Sequence, residues 1–261
     1  MRRRNLTELA ANPNLISGIY NYCDRWCERC PFTSRCLVYA TDNEDEDDTA
    51  ESRDLNNEAF WARLGSTLQE AQDMLTTWAD EVGVYLTPIN DERKPPKKRR
   101  YFDVADDPLA EIGKDYANAA TAWFSELSGT SSSRVDEMKD FDCPADEIQN
   151  AVEVIQWYQY QIAVKTMRAL SSRSREQDPE EWSPDESYAK DSDGSAKVAL
   201  IGIDRSIGAW YLLQRCLARN SDTIVPLILL LDGLRRRIEQ EFPCAREFVR
   251  PGFDEIRDMI T

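Results

Sequence analysis

The sequence predicts an all-α protein, a bundle of five or six helices carrying an N-terminal four-cysteine metal-binding loop. Three observations lead there. From Asn56 onward, apolar residues recur three and four apart over long stretches, the spacing of one helix face. No segment holds the apolar-polar alternation of a half-buried strand better than it holds the helical spacing. Finally, four of the seven cysteines fall within residues 23–36. The chain divides on this reading into a cysteine-rich segment, 1–40, an acidic linker, 41–55, and a helical bundle domain, 56–261. With 261 residues, 41% of them hydrophobic, it can bury a sizeable core without a disulfide staple.

The linker is dense in Asp and Glu, whose like charges oppose compaction. It lacks the turn glycine and the closing glutamate of an EF-hand, so calcium is not expected there. The first helix of the bundle carries Trp61, Leu64, Leu68, Ala71, Leu75, Trp78 and Val82 on one stripe and ends near Gly83. Residues 88–107 form a loop, because Pro95 and Pro96 break helices and the surrounding lysines and arginines repel one another. The second helix opens at Asp107-Pro108, an N-cap followed by a first-turn proline, and aligns Leu109, Ile112, Tyr116, Ala119, Trp123 and Leu127. Gly129 and three successive serines stop it.

The third helix begins at Cys143-Pro144 and runs to about Leu170. It has Ile148, Val152, Ile155 and Ile162 on one side and Trp157, Tyr160, Val164 and Met167 on another, so a central position is expected. Residues 171–193 are polar, contain Pro179 and Pro184, and read as a long excursion. The fourth helix, 194–219, is apolar around nearly its whole circumference and should be the most buried. A fifth covers about 222–242, with Pro226 tolerated in its first turn, and a short one near 253–260 closes the chain.

The cysteines lie in CDRWCERCPFTSRC, a CxxxCxxCxxxxxC spacing, whereas Cys143, Cys216 and Cys244 are scattered. Nothing near the N-terminus resembles a secretion signal, since Thr7, Glu8, Asn12, Pro13 and Asn14 interrupt any apolar stretch after MRRRN. The longest apolar run, 224–231, falls well short of the roughly 20 residues that span a bilayer. A cytoplasmic protein is therefore expected, and in the cytosol clustered thiols are metal ligands rather than disulfides. Cys23, Cys27, Cys30 and Cys36 supply four thiolates, enough to close a site for a soft or borderline metal. A [4Fe-4S] cluster suits one compact loop; Zn2+ is the alternative, although structural zinc sites more often use two separated CxxC pairs.

The segment CERCPFTSRC resembles the cluster loop of the endonuclease III and adenine-glycosylase family, whose last three ligands share its CxxCxxxxxC spacing. The likeness covers ten residues. It implies a [4Fe-4S] cluster on Cys27, Cys30 and Cys36, with Cys23 as a displaced first ligand. It does not extend to glycosylase activity, because the family has six residues between its first two ligands, against three here, and no Gly-rich helix-hairpin-helix follows. The CxxxCxxC portion is also similar to that of radical-SAM enzymes, which use three ligands on a mainly α/β barrel.

Composition narrows the function further. The chain has no histidine, which removes Ser-His and Cys-His nucleophile pairs and the His-containing di-iron pattern. Its net charge of −16 opposes extended nucleic-acid binding and anionic membranes. Six basic residues within 93–100 run against that global sign, and docking onto the acidic 42–48 run of the same or another subunit is the expected use. Glu153 on the third helix and Lys197, Asp204 and Arg205 on the fourth lie among apolar neighbours, so they are expected to converge, either as an ion-pair network or as a polar ligand pocket. Trp61, Trp78, Trp123, Trp157 and Trp210 read as core; Tyr22 and Trp26 flank the cysteines and would exclude solvent or conduct electrons. The reading that follows is an iron-sulphur helical protein with a redox or cluster-dependent role and a redox or other protein partner. The alternatives are an interaction protein whose metal is purely structural, and an enzyme using the polar pocket.

Overall fold

A computed structural model of the chain describes residues 9, 12–43, 57–83, 104, 106–129, 143–177, 191–216 and 221–254. Among them are six α-helices and no strand: α1 (Leu37–Asn43), α2 (Glu58–Glu81), α3 (Pro108–Gly129), α4 (Ala145–Glu176), α5 (Asp191–Cys216) and α6 (Ser221–Glu241). The all-helical class is as the periodicity predicts. Contacts divide the chain into two compact units, one of residues 1–15 and 33–99, the other of residues 16–32 and 100–261. Of the cysteine segment read along the sequence, residues 16–32 group with the bundle and the rest with the first unit.

In the second unit α4 packs most extensively on α5, α5 on α6, α6 on α3 and α3 on α4, which closes a four-helix bundle. Its core is filled by Tyr116 of α3, Ile155, Tyr158 and Ile162 of α4, Leu200, Ile203, Trp210 and Leu213 of α5, and Ile224, Leu231 and Leu234 of α6, all fully buried. The α4/α5 interface is close because α5 places small residues against α4. A Cβ on Gly202 would stand 2.9 Å from the Tyr158 ring, and one on Gly113 of α3 would stand 3.1 Å from the Ala163 backbone. Two buried indoles are satisfied inside the core: the Trp210 Nε1–H donates to Tyr116 Oη at 3.0 Å and the Trp123 Nε1–H to Thr223 Oγ1 at 3.0 Å. Burial pushes the Tyr116 phenol up to about 12, so it remains a neutral partner for the indole.

Several boundaries follow local rules. Asp107 caps α3, its Oδ1 accepting the Leu109 N–H at 2.8 Å, with Pro108 at the first helical position. Asp146 and Glu147 occupy the first turn of α4 and Arg173 and Arg175 its last, which complements the helix dipole. Two boundaries depart from the sequence reading. Helix α4 runs on to Glu176, and α5 already begins at Asp191. The Glu176 carboxylate explains both, since it accepts the Ser192 N–H at 3.0 Å and the Ser192 hydroxyl at 2.6 Å, capping α5 from the end of α4. Cys143 and Cys216, scattered in sequence, are joined by a disulfide between the start of α4 and the end of α5.

In the first unit a one-turn 3-10 helix, Thr33–Arg35, leads into α1, and Gly83 ends α2 with a left-handed φ of 70°. The α2 stripe has the predicted spacing but is not core: Trp61, Leu68, Leu75 and Trp78 are each more than half exposed. On α4, Tyr160 and Val164 are likewise exposed, so its second apolar side is only partly covered. The basic 93–100 segment, the acidic run at 44–48 and the predicted helix beyond Asp254 lie outside the described residues. No described helix is long and apolar enough to cross a membrane.

Candidate metal centre

Cys23, Cys27 and Cys30 belong to the second unit and Cys36 to the first. Like Cys244, none of them is in a disulfide. Residues 16–32 have little regular structure, only the one-turn 3-10 helices Ile19–Asn21 and Cys27–Arg29. What holds them is side-chain anchoring to α4 and α5.

Asp24 is the main anchor. Its backbone carbonyl accepts the Trp157 Nε1–H at 2.9 Å and the Gln161 amide N–H, both from α4. Its Oδ2 accepts the Tyr158 hydroxyl at 2.5 Å and the Arg205 guanidinium of α5 at 2.8 Å, while Oδ1 accepts the Trp26 N–H at 3.2 Å. Burial first, and then the Asp24 carboxylate, raise the Tyr158 phenol well above its ordinary value, so it stays a donor. Arg25 then turns the chain with φ 57°, a left-handed conformation that costs a non-glycine residue about 1–2 kcal/mol. Trp26 lands flat on Trp157, with ring centroids 5.0 Å apart and planes 15° off parallel. Arg29 covers its other face at 4.0 Å and donates to Asn150 at 2.6 Å and Glu153 at 2.5 Å.

Tyr22 forms a second anchor. Its hydroxyl donates to Asp191 Oδ1 at 3.0 Å, an atom that also accepts Arg168 at 3.0 Å, while Asp191 Oδ2 accepts Ser172 at 2.5 Å. Burial works against the Asp191 charge, but the Ser172 hydroxyl and Arg168 outweigh it and hold the carboxyl below its usual range. The Tyr22 ring meets Phe248 edge-on at 4.7 Å above Gly194, where an added Cβ would lie 2.4 Å from the Tyr22 ring. Tyr22 and Trp26 are thus packing residues that seat the loop.

The thiols have local partners. The Cys23 Sγ–H reaches the Tyr20 carbonyl at 3.5 Å, and the Phe32 N–H donates to Cys30 Sγ at 3.4 Å. The latter places a backbone N–H on a sulfur two residues back. Among the described residues no group of three or more His, Cys, Asp or Glu side chains is gathered in a form that could hold a metal ion. Cys30, Pro31 and Phe32 line a cleft of about 680 Å3 with Trp26, Arg29, Val154 of α4, and Arg205 and Leu212 of α5.

Glu153, Lys197, Asp204 and Arg205 do not share a pocket. Glu153 pairs with Arg29, Arg205 with Asp24, Lys197 with Asp254 at 2.9 Å, and Asp204 with Arg246 at 2.5 Å. The helix charges bind segments wrapped over the bundle, the cysteine loop and the stretch after α6, instead of one another. Three residues that the sequence reading passed over, Asp24, Tyr158 and Gln161, carry the loop. Their only sequence signal is a polar stripe on α4, Gln161, Lys165, Arg168 and Ser172, at helical spacing. Asp24→Ala is expected to leave the buried Tyr158 hydroxyl without its acceptor and to cost about 1–3 kcal/mol, the range for a buried polar group left unsatisfied; urea unfolding of the variant against wild type measures it.

Comparison with protein families, with curated proteins and with solved structures finds no match to this chain.

Proposed function

We propose that Cys23, Cys27, Cys30 and Cys36 hold a [4Fe-4S] cluster and that the protein acts through it, passing electrons or responding to oxidation. The observation that carries this is the state of the cysteines: Cys143 and Cys216 form a disulfide, whereas Cys23, Cys27, Cys30 and Cys36, clustered within residues 23–36, form none, and the first three lie on a segment anchored to α4 and α5. Metal binding by these cysteines would be coupled to ordering of the segment that carries them. The cluster supplies one-electron chemistry; the chain supplies four thiolates, partial burial and the N–H at Cys30. The cleft beside Cys30 gives an electron partner or oxidant a route close to the sulfur.

A purely structural centre, zinc or cluster, is the second reading, and the density of anchors around Asp24 favours it: a metal there would tie the segment to α4 and α5 as those bonds do. Elemental analysis separates the two. Anaerobically purified full-length protein is expected to be brown and to contain about four irons and four acid-labile sulphides per chain, as a cubane requires. Stoichiometric zinc without sulphide, from iron-replete cells, would replace the redox reading with the structural one.

A further inference from the structure

The exposed stripe of α2 has the spacing of a coiled-coil seam. Trp61, Leu64, Leu68, Ala71, Leu75 and Trp78 follow one another at alternating intervals of three and four without a break. This strict alternation is narrower than the broad stripe that a helix lays against a globular core. Leu68 is 62% exposed, Leu75 59% and Trp78 55%, whereas Ala79 beside them is buried. The chain therefore covers one edge of α2 and leaves the seam in solvent.

The order of residues along the seam says what fits it. From either end it begins with Trp and then Leu, and the two middle positions are Leu68 and Ala71. An identical helix laid antiparallel sets Trp61 of one copy against Trp78 of the other, Leu64 against Leu75 and Leu68 against Ala71. Each layer then holds like residues or a large one against a small one. The same three pairs recur beyond a two-fold axis at mid-helix, as in the isologous contact of a symmetric dimer.

Charge placement agrees. A chain of net charge −16 repels its own copies. Yet the positions that flank the seam between the ends of α2 are Gly65, Thr67, Gln72, Met74 and Ala79, all uncharged, while Glu70, Asp73 and Asp80 fall at outer positions. Glu58 and Glu81, at the two ends, flank opposite sides of the seam and do not meet in an antiparallel pair. A parallel pair would set Asp80 and Glu81 beside their own copies and align the two helix dipoles; the antiparallel one brings these carboxylates to the other copy's helix N-terminus.

We propose that α2 is a self-association site: two copies of this chain pair antiparallel along α2 as a two-helix coiled coil, with Trp61 and Trp78 closing its ends. The pairing is independent of whether the cysteines hold a metal.

Sedimentation equilibrium of the full-length protein tests this. Wild type is expected to be dimeric at about 10 μM, the weak end of the range for specific interfaces. Leu64→Lys and Leu75→Glu each put a charge into two apolar layers of the pair, and each is expected to weaken self-association roughly a hundredfold, with helix content by circular dichroism unchanged. Mixed in equal amounts, the two variants should recover the dimer, because antiparallel pairing sets the new lysine against the new glutamate and leaves leucine on leucine in the matching layer. Parallel pairing sets position 64 beside 64 and 75 beside 75 and gives no such match. Wild type that is monomeric at this concentration overturns the proposal, as does a dimer that both variants leave intact, or a mixture that stays monomeric. Loss of helix content in either variant overturns it too, since the stripe would then be holding the chain's own fold.

Discussion

Cys27→Ser or Cys30→Ser protein is expected to be isolated with less than about a tenth of the wild-type metal, because a serine hydroxyl is a hard, weakly acidic donor where a soft thiolate is required. Cys30 should show the sharper loss. Its sulfur receives the Phe32 N–H, and the adjacent Cys27–Arg29 turn leads directly into it. The bundle should survive: the core of α3 to α6 is complete without any loop cysteine, so circular dichroism should report an unchanged helix content while hydrogen exchange rises across residues 16–32. Cys244→Ser, which alters a thiol outside the loop, should retain full metal. Undiminished metal in both Cys27→Ser and Cys30→Ser would remove the centre from this loop.

The second large effect lies at the opposite kind of cysteine. Reducing Cys143–Cys216, or replacing both by serine, is expected to lower the unfolding free energy by about 4 kcal/mol, the loop-closure value for a bridge of this span. The span is 73 residues and encloses nearly all of α4 and α5, the pair that forms the largest interface of the bundle. Denaturant unfolding with and without reductant, at matched metal loading, measures the difference. A change below about 1 kcal/mol would mean that α4 and α5 hold together equally well in the reduced chain. Metal content should be the same in either state, since neither cysteine belongs to the loop. Cys216 is only 4% exposed, which shields the bond from thiol exchange and lets it persist alongside the free thiols.

Loop and bundle are joined by long-range polar contacts between residues well apart in the chain. Arg29 reaches Asn150 and Glu153, Asp24 reaches Tyr158 and Arg205, and Tyr22 reaches Asp191. A bond of this kind leaves no periodicity in either partner, and this is why the charged residues of α4 and α5 read as one convergent set. They lie among apolar neighbours because the bundle is overlaid there by other parts of the same chain. The exposed stripe of α2 shows the converse: its spacing is helical and apolar, but spacing says only that a face exists, and burial depends on what packs against it.

The sequence by itself determined the helices from α2 to α6, though not α1 at Leu37–Asn43, because 3.6-residue periodicity, the Asp107 cap and the proline and glycine stops act within a few residues of where they are written. It also determined that four cysteines fall within residues 23–36, since clustering along the chain is a property of the sequence. Tertiary structure alone decided that α4 continues to Glu176 and caps α5, that Cys143 meets Cys216, and that Asp24 and Tyr22 anchor the loop to α4 and α5. Each depends on groups brought together only when antiparallel helices pack, and the free energy of such a meeting comes from desolvation and geometry that no local pattern records.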